Sequence, residues 1–114
     1  MKTSLRTLLI AGGFVAVAAA PAYAACYDVY GCTNRNVFNV PTLLSPGPTC
    51  DFLYEMRNGI YAEHRYCFQT ARAQAIFSNA NCVSSNANAI GLSRIEQANA
   101  ATILKAENSM GCPE

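Results

Sequence analysis

The chain has 114 residues, of which 52% are hydrophobic and 13% charged, with a formal net charge of +1. That length holds one domain, and so even a charge balance offers no basic patch for a phosphate backbone, which excludes nucleic acid as a partner class. The unusual features are six cysteines and a single histidine.

The first segment reads as a leader. Lys2 and Arg6 precede an uncharged apolar run from Leu8 to Ala20, Pro21 breaks it, and Ala22-Tyr23-Ala24 places small residues where a signal peptidase reads. A signal peptide over residues 1–24, cut after Ala24, is predicted. The run is shorter than the roughly 20 residues a spanning helix needs. No basic amphipathic helix follows, so no stable membrane insertion is expected after cleavage. Cys26 stands where a lipidated cysteine would, but Tyr23 occupies the position that lipidation reserves for a small aliphatic residue, and modification would leave an odd thiol. Losing Lys2 and Arg6 leaves six basic against seven acidic residues, a formal charge of −1.

All six cysteines, Cys26, Cys32, Cys50, Cys67, Cys82 and Cys112, follow that cut. An even number in a small exported chain marks a disulfide framework. Zinc sites bring cysteines in close pairs, and here no two cysteines lie that near. No metal or other cofactor is expected. Residues 25–49 are rich in turn formers, with Gly31, Asn34, Asn36, Asn39, Pro41, Pro46, Gly47 and Pro48, and exclude a long helix. Cys26 and Cys32 bracket a short loop and are expected to bridge, and Val37 to Val40 to run extended or pair as a short strand. This region reads as an irregular clasp over the helical part, residues 50–114.

The first helix is predicted from an N-cap at Thr49 or Asp51 to near Arg65. Asp51 and Glu55 suit its positive end, and Leu53, Met56, Ile60 and His64 form one stripe. A second begins after Thr70 and buries Ala73, Ile76, Phe77 and Ala80, ending at Asn79 to Asn81. The third opens on a capping box, Ser93-Arg94-Ile95-Glu96. It carries Ile95, Ala98, Thr102, Ala106 and Met110 at helical spacing, and stops at Gly111 before Pro113. The fold class is therefore all-α: a small three-helix, disulfide-stapled domain with an irregular N-terminal disulfide loop. Antiparallel packing of three helices predicts Cys50–Cys82 and Cys67–Cys112 beside Cys26–Cys32. A Cys67–Cys82 bridge would have to span the second helix end to end, whereas a disulfide joins α-carbons about 5 to 6 Å apart.

The run Arg57-Asn58-Gly59-Ile60-Tyr61-Ala62-Glu63-His64-Arg65-Tyr66-Cys67-Phe68 resembles the signature of the YARHG domain family. Arg57, Asn58, Tyr61, Ala62, His64, Tyr66 and Phe68 match, and Phe77 and Cys82 fit a cysteine-bearing bacterial version. The resemblance covers roughly residues 50–112. Glu63 stands where the family has arginine, and Arg65 where it has a glycine able to close the helix in left-handed conformation. The resemblance implies an extracellular or periplasmic bacterial domain, often an accessory module beside peptidases or kinases.

Candidate binding residues are Arg57, Asn58, Tyr61 and His64. For Arg57 and Asn58 the competing role is to satisfy loop carbonyls; for Tyr61, Tyr66 and Phe68 it is to form core. No catalytic residue is assigned: His64 lacks a nucleophile, and Asp51 with Glu55 reads as dipole compensation. The function expected is a non-catalytic, periplasmic or secreted module that binds an envelope protein or cell-wall ligand through an exposed face of the first helix and the Tyr27–Gly31 loop. Two alternatives stand beside it: a secreted inhibitor or effector docking through the Cys26–Cys32 loop, and a hydrolase using His64 with Glu55 or Asp51.

Overall fold

A computed structural model describes residues 25–114; the predicted leader, residues 1–24, lies outside the described residues. The chain enters through a tight hairpin. Strand β1 (Cys26–Tyr27) pairs antiparallel with β2 (Gly31–Cys32), placing Cys26 opposite Cys32, and a disulfide joins the two, as expected. The return requires Gly31. Its φ is +102°, and a Cβ there would sit 2.7 Å from Asn36 Oδ1, the oxygen that accepts the Cys32 amide at 2.7 Å.

Beyond the hairpin, the segment expected to run extended turns instead into a short helix, α1 (Val40–Leu43). Asn39 caps it by accepting from the Thr42 amide, and Pro41 occupies its first turn, where no amide is needed. Helix α2 (Cys50–Glu63) is capped by Thr49, whose hydroxyl accepts from the Phe52 amide at 3.0 Å. Helix α3 (Ala71–Ile76) starts from Thr70 in the same way. A 3-10 turn at Ala87–Ala89 precedes α4 (Arg94–Met110), where the predicted capping box forms in full: Glu96 N–H donates to Ser93, and Ser93 N–H donates to Glu96. Gly111 closes α4 in left-handed conformation.

The main core lies between α2 and α4. Leu53, Met56 and Ile60 face Ala100, Ile103 and Ala106, and Phe38 and Leu43 of the clasp close the end. The clasp thus belongs to the same core as the helices. A smaller cluster joins Tyr54, Phe68 and Ala73, with Tyr61, Tyr66 and Phe77 packed around it. At roughly 1.5 to 3 kcal/mol per fully buried large apolar side chain, a core this small needs its covalent staples.

Two of the expected bridges are corrected. Cys50 pairs with Cys112, with α-carbons 5.5 Å apart, and Cys67 pairs with Cys82, at 5.1 Å. The antiparallel argument was sound, but α2 has α4, not α3, as its long neighbour, so its start meets the end of α4. The objection to Cys67–Cys82 also fails, because α3 stops at Ile76 and neither cysteine belongs to it. Phe77 is extended, the chain turns at Ala80 and Asn81, where Asn81 has φ of +61°, and it returns beside residues 65–68. Val83 N–H donates to Arg65 O and Cys67 N–H to Ser84 O, each at 2.7 Å, while Asn79 bonds both backbone groups of Phe68. Accordingly Ile76 is 42% exposed and only Ala73 of the expected α3 face is buried.

The stripe on α4 is corrected as well. Its buried residues are Glu96, Asn99, Ala100, Ile103, Ala106 and Glu107. Of the residues expected there, Ala106 alone is buried; Ile95 and Thr102 are half-buried, and Ala98 and Met110 exposed. At about 100° per residue, a shift of one position turns the helix, and the cause is that three polar side chains face inward.

Candidate functional site

Those three polar residues make the defining interactions of the molecule. Glu107, 3% exposed, accepts a bidentate pair from Arg57, through Nε and through Nη2 at 3.1 Å. Burial works against the Arg57 charge, but the hydrogen bond and charge of Glu107 outweigh it and hold the guanidinium cationic. Asn99, 1% exposed, locks the clasp: its Oδ1 accepts from the Phe38 amide at 2.9 Å, and its Nδ2 donates to Thr33 O at 3.0 Å and Asn36 O at 2.7 Å. Glu96 holds His64, both carboxylate oxygens lying 3.0 Å from Nε2, while Nδ1 faces Ile90 O at 3.1 Å. Burial pushes the Glu96 carboxyl up, but the Ser93 amide and His64 outweigh it and leave it below the usual range.

The four sequence-selected residues therefore do not converge. Arg57 and Asn58 line one groove of about 520 Å³ with Tyr54, Thr70, Arg72 and the C-terminal residues. Their polar groups are already committed within the chain: Arg57 to Glu107, and the Asn58 amide to Tyr54 O at 3.0 Å. Tyr61 stands behind, 5.6 Å from the Tyr66 ring, in a ladder that continues to Phe68 at 5.0 Å and Phe77 at 5.1 Å. His64 caps α2 and turns to the loop before α4. The proposed hydrolytic pairing is not assembled, since His64 is bound by Glu96 and Asp51 is bound by Arg72 at 2.8 Å. Among the described residues no cluster of acidic, histidine or cysteine side chains is arranged to hold a metal ion, and no helix is long and apolar enough to cross a membrane.

Arg65 closes α2 with φ of +60°, the left-handed conformation for which the family's glycine is suited, and its side chain is exposed. Arg65 bears the steric cost of that conformation.

A second cleft, of about 420 Å³, was only half legible in the sequence. Its walls are the hairpin residues Tyr27 and Tyr30, then Pro46, Pro48 and Phe52 of α2, with Asp28 and Val29 at its lip. Tyr27 meets Phe52 edge to face at 5.7 Å, and Tyr30 lies 6.3 Å from the same ring. Burial, with the carboxylates of Glu63 and Glu55, pushes the Tyr27 hydroxyl up. Phe52 and Val29 remain 39% and 62% exposed. The loop was identifiable by its cysteines, and Phe52 by its place on the outer face of the first helix. Nothing in the sequence showed Pro46 and Pro48 folding beside them.

Paired staples, a polar-clamped helix pair and a braced hairpin define a small disulfide-stapled helical domain of extracellular type. Residues 41–108 match the YARHG domain, and the chain belongs to that family. No curated protein and no solved structure matches it.

Proposed function

We propose that the chain is an exported, non-catalytic binding module of the bacterial envelope, working in the periplasm or outside the cell, and that it receives a segment of a partner protein in the cleft between the hairpin and α2. The three disulfides and the family membership support the exported setting. The observation that carries the binding reading is the cleft itself, where the half-buried rings of Tyr27 and Tyr30, on a hairpin braced by a disulfide, stand beside half-buried Pro48 and the exposed Pro46 and Phe52. Apolar surface kept exposed on a rigid support is a mark of interaction sites.

Charge favours a basic, apolar segment. Asp28 and Glu55 lie on this side of the molecule and form no ion pair with any described residue, whereas Arg57, Arg72 and His64 are each taken up by a carboxylate. A lysine or arginine with apolar neighbours would lay its stem on the rings and its charge beside Asp28.

The test is binding of the oxidised chain to arrays of short peptides and of cell-wall glycans. Peptides with lysine or arginine among apolar residues are expected to bind, and to be lost with Phe52→Ala and with Asp28→Lys. Absence of any ligand, or binding that survives Phe52→Ala, overturns the cleft. The exposure of Val29 at the hairpin tip favours a second reading, an inhibitor or effector whose loop enters a target. Loss of binding with Val29→Asp but not with Phe52→Ala selects it.

A further inference from the structure

We propose that the groove walled by α2, the start of α3 and the end of α4 is a second binding site, and that it takes a neutral saccharide. The groove holds about 520 Å³, the size of a small-ligand site. It lies around α2 from the hairpin cleft. Phe52 lines the cleft and Tyr54 the groove, and two residues along a helix stand about 200° apart around its axis. The proposal goes beyond the peptide reading above and does not depend on it.

The hydrogen-bonding groups of the groove are only partly used. A guanidinium carries five N–H donors. Glu107 takes one from Arg57 Nε and one from Nη2, and Nη1 finds no acceptor among the described residues. Asn58 gives its amide nitrogen to Tyr54 O at 3.0 Å and leaves Oδ1 without a donor among the described residues. Both residues are half-buried, yet neither of these atoms is sealed away, since the one sealed side-chain atom without a hydrogen bond among the described residues is Thr33 Oγ1. They open on solvent in a groove that both residues line. Gln69, ahead of α3, and Asn108, on α4, add two exposed amides whose side chains bond to no other described residue.

Charge disfavours an anion here. Arg57 is neutralised by Glu107 and Arg72 by Asp51 at 2.8 Å, while Glu114 adds a negative charge at the rim. An entering carboxylate or phosphate would meet no spare cation. The Tyr54 ring is closed as well, with the Arg72 guanidinium carbon 3.6 Å from its centroid. Apolar surface is offered instead by the half-buried Tyr66 ring and by Leu104, which is 40% exposed. Amides and a charge-paired guanidinium around apolar patches suit a pyranose, which carries hydroxyls at its edge and C–H bonds on its face. Each hydroxyl both donates and accepts, and so satisfies Arg57 Nη1 and Asn58 Oδ1 alike. An N-acetyl substituent adds a carbonyl acceptor for Arg57 and a methyl group for the apolar wall.

The experiment titrates the oxidised, isotope-labelled chain with triacetylchitotriose and, separately, with a trimer of galacturonic acid. NMR follows the side-chain amides of Asn58, Gln69 and Asn108 and the Nε–H of Arg57. Saturable shifts confined to the groove are expected with the neutral sugar and not with the acidic one, at an affinity indifferent to salt. Gln69→Ala combined with Asn108→Ala is expected to weaken that binding about tenfold. Both side chains are exposed, so the backbone amide spectrum is expected to keep the folded pattern of the parent. No saturable shift, shifts centred outside the groove, an unaltered affinity in the double variant, or tighter binding of the acidic trimer that fades with salt would each overturn the proposal. The Phe52 ring signals report the hairpin cleft separately, so either site can fall while the other stands.

Discussion

Asn99 is the residue whose loss should be felt most widely, because one side chain carries the attachment of the clasp to α4. Replacing it by leucine keeps the volume close and removes three hydrogen bonds, from Phe38 N–H and to Thr33 O and Asn36 O. Leaving a buried backbone donor or acceptor without a partner costs about 1 to 3 kcal/mol each. Phe38 and Thr33 are buried at 4% and 1% exposure, while Asn36 lies near enough to solvent to find water. Two groups at the full cost and one at a fraction of it give a loss of about 4 kcal/mol, less about 1 kcal/mol regained by the leucine side chain. That is a large part of the roughly 5 to 15 kcal/mol that holds a domain folded. Urea unfolding followed by far-ultraviolet circular dichroism, on the oxidised chain, gives the number; hydrogen exchange at the Phe38 amide gives its location. Asn99→Asp sharpens the test. It keeps an acceptor for Phe38 but turns a carboxylate toward two carbonyls, so it should cost more than leucine near neutrality and recover as the pH falls and the side chain regains a proton. A loss under about 1 kcal/mol for Asn99→Leu, or unchanged protection of the Phe38 amide, would refute the clamp.

Arg65→Gly should raise stability by about 0.5 to 1 kcal/mol in the same urea assay, since a left-handed residue suits glycine and the exposed arginine side chain forgoes nothing. Non-reducing peptide mapping should recover Cys50 with Cys112 and Cys67 with Cys82. Cys50→Ser with Cys112→Ser, opening a closure with a sequence separation of 62, should cost about 4 kcal/mol, whereas Cys67→Ser with Cys82→Ser should mainly release residues 67–84 to rapid hydrogen exchange. Glu96 titrates below the ordinary carboxyl range when folded. It therefore stabilises the fold above the pKa of the unfolded chain, and that contribution is lost as the pH falls through the folded value. Glu96→Gln should flatten the acid limb of a stability–pH curve, and a curve with the same slope as the parent would contradict the assignment.

What could be read from the sequence was what local chemistry decides. Thr49, Thr70 and Ser93 announce helix starts because a hydroxyl caps wherever it precedes helical backbone, and Gly111 announces a stop because few other residues turn left-handed cheaply. Cys26–Cys32 was legible because the ring it closes is too short to depend on the rest of the fold. The other two bridges depended on the length of α3. Its apolar spacing continued through Phe77 and Ala80, yet the chain departs at Ile76, where Phe77 is drawn out to stack on Phe68 and Asn79 to bond the Phe68 backbone. Neither pull has a signature in sequence. The aromatic cleft was legible as a loop and a helix face separately, and their joining through the Pro46–Pro48 turn was not.

The misreading of α4 shows how this fold is specified. A helix stripe is found by asking which positions are apolar, and that question rejects Glu96, Asn99 and Glu107. Each is nevertheless inside, because each faces a fixed partner from a different part of the chain: His64 at the end of α2, the backbone of the clasp, and Arg57 in the middle of α2. Alanine and isoleucine between them supply burial but tolerate sliding or rotation, since one apolar contact resembles another. A buried carboxylate displaced from its arginine is uncompensated, at a cost of several kcal/mol. Two such points on α2, separated by nearly two turns, leave a single register and rotation for α4, and Asn99 then fixes where the clasp lies across the pair. Such an arrangement favours uniqueness over stability, and the three disulfides supply the stability that a polar-lined core of this size does not. Arg57 and His64 are the fixed points against which the helices align, and that alignment is what sets Phe52 beside the hairpin.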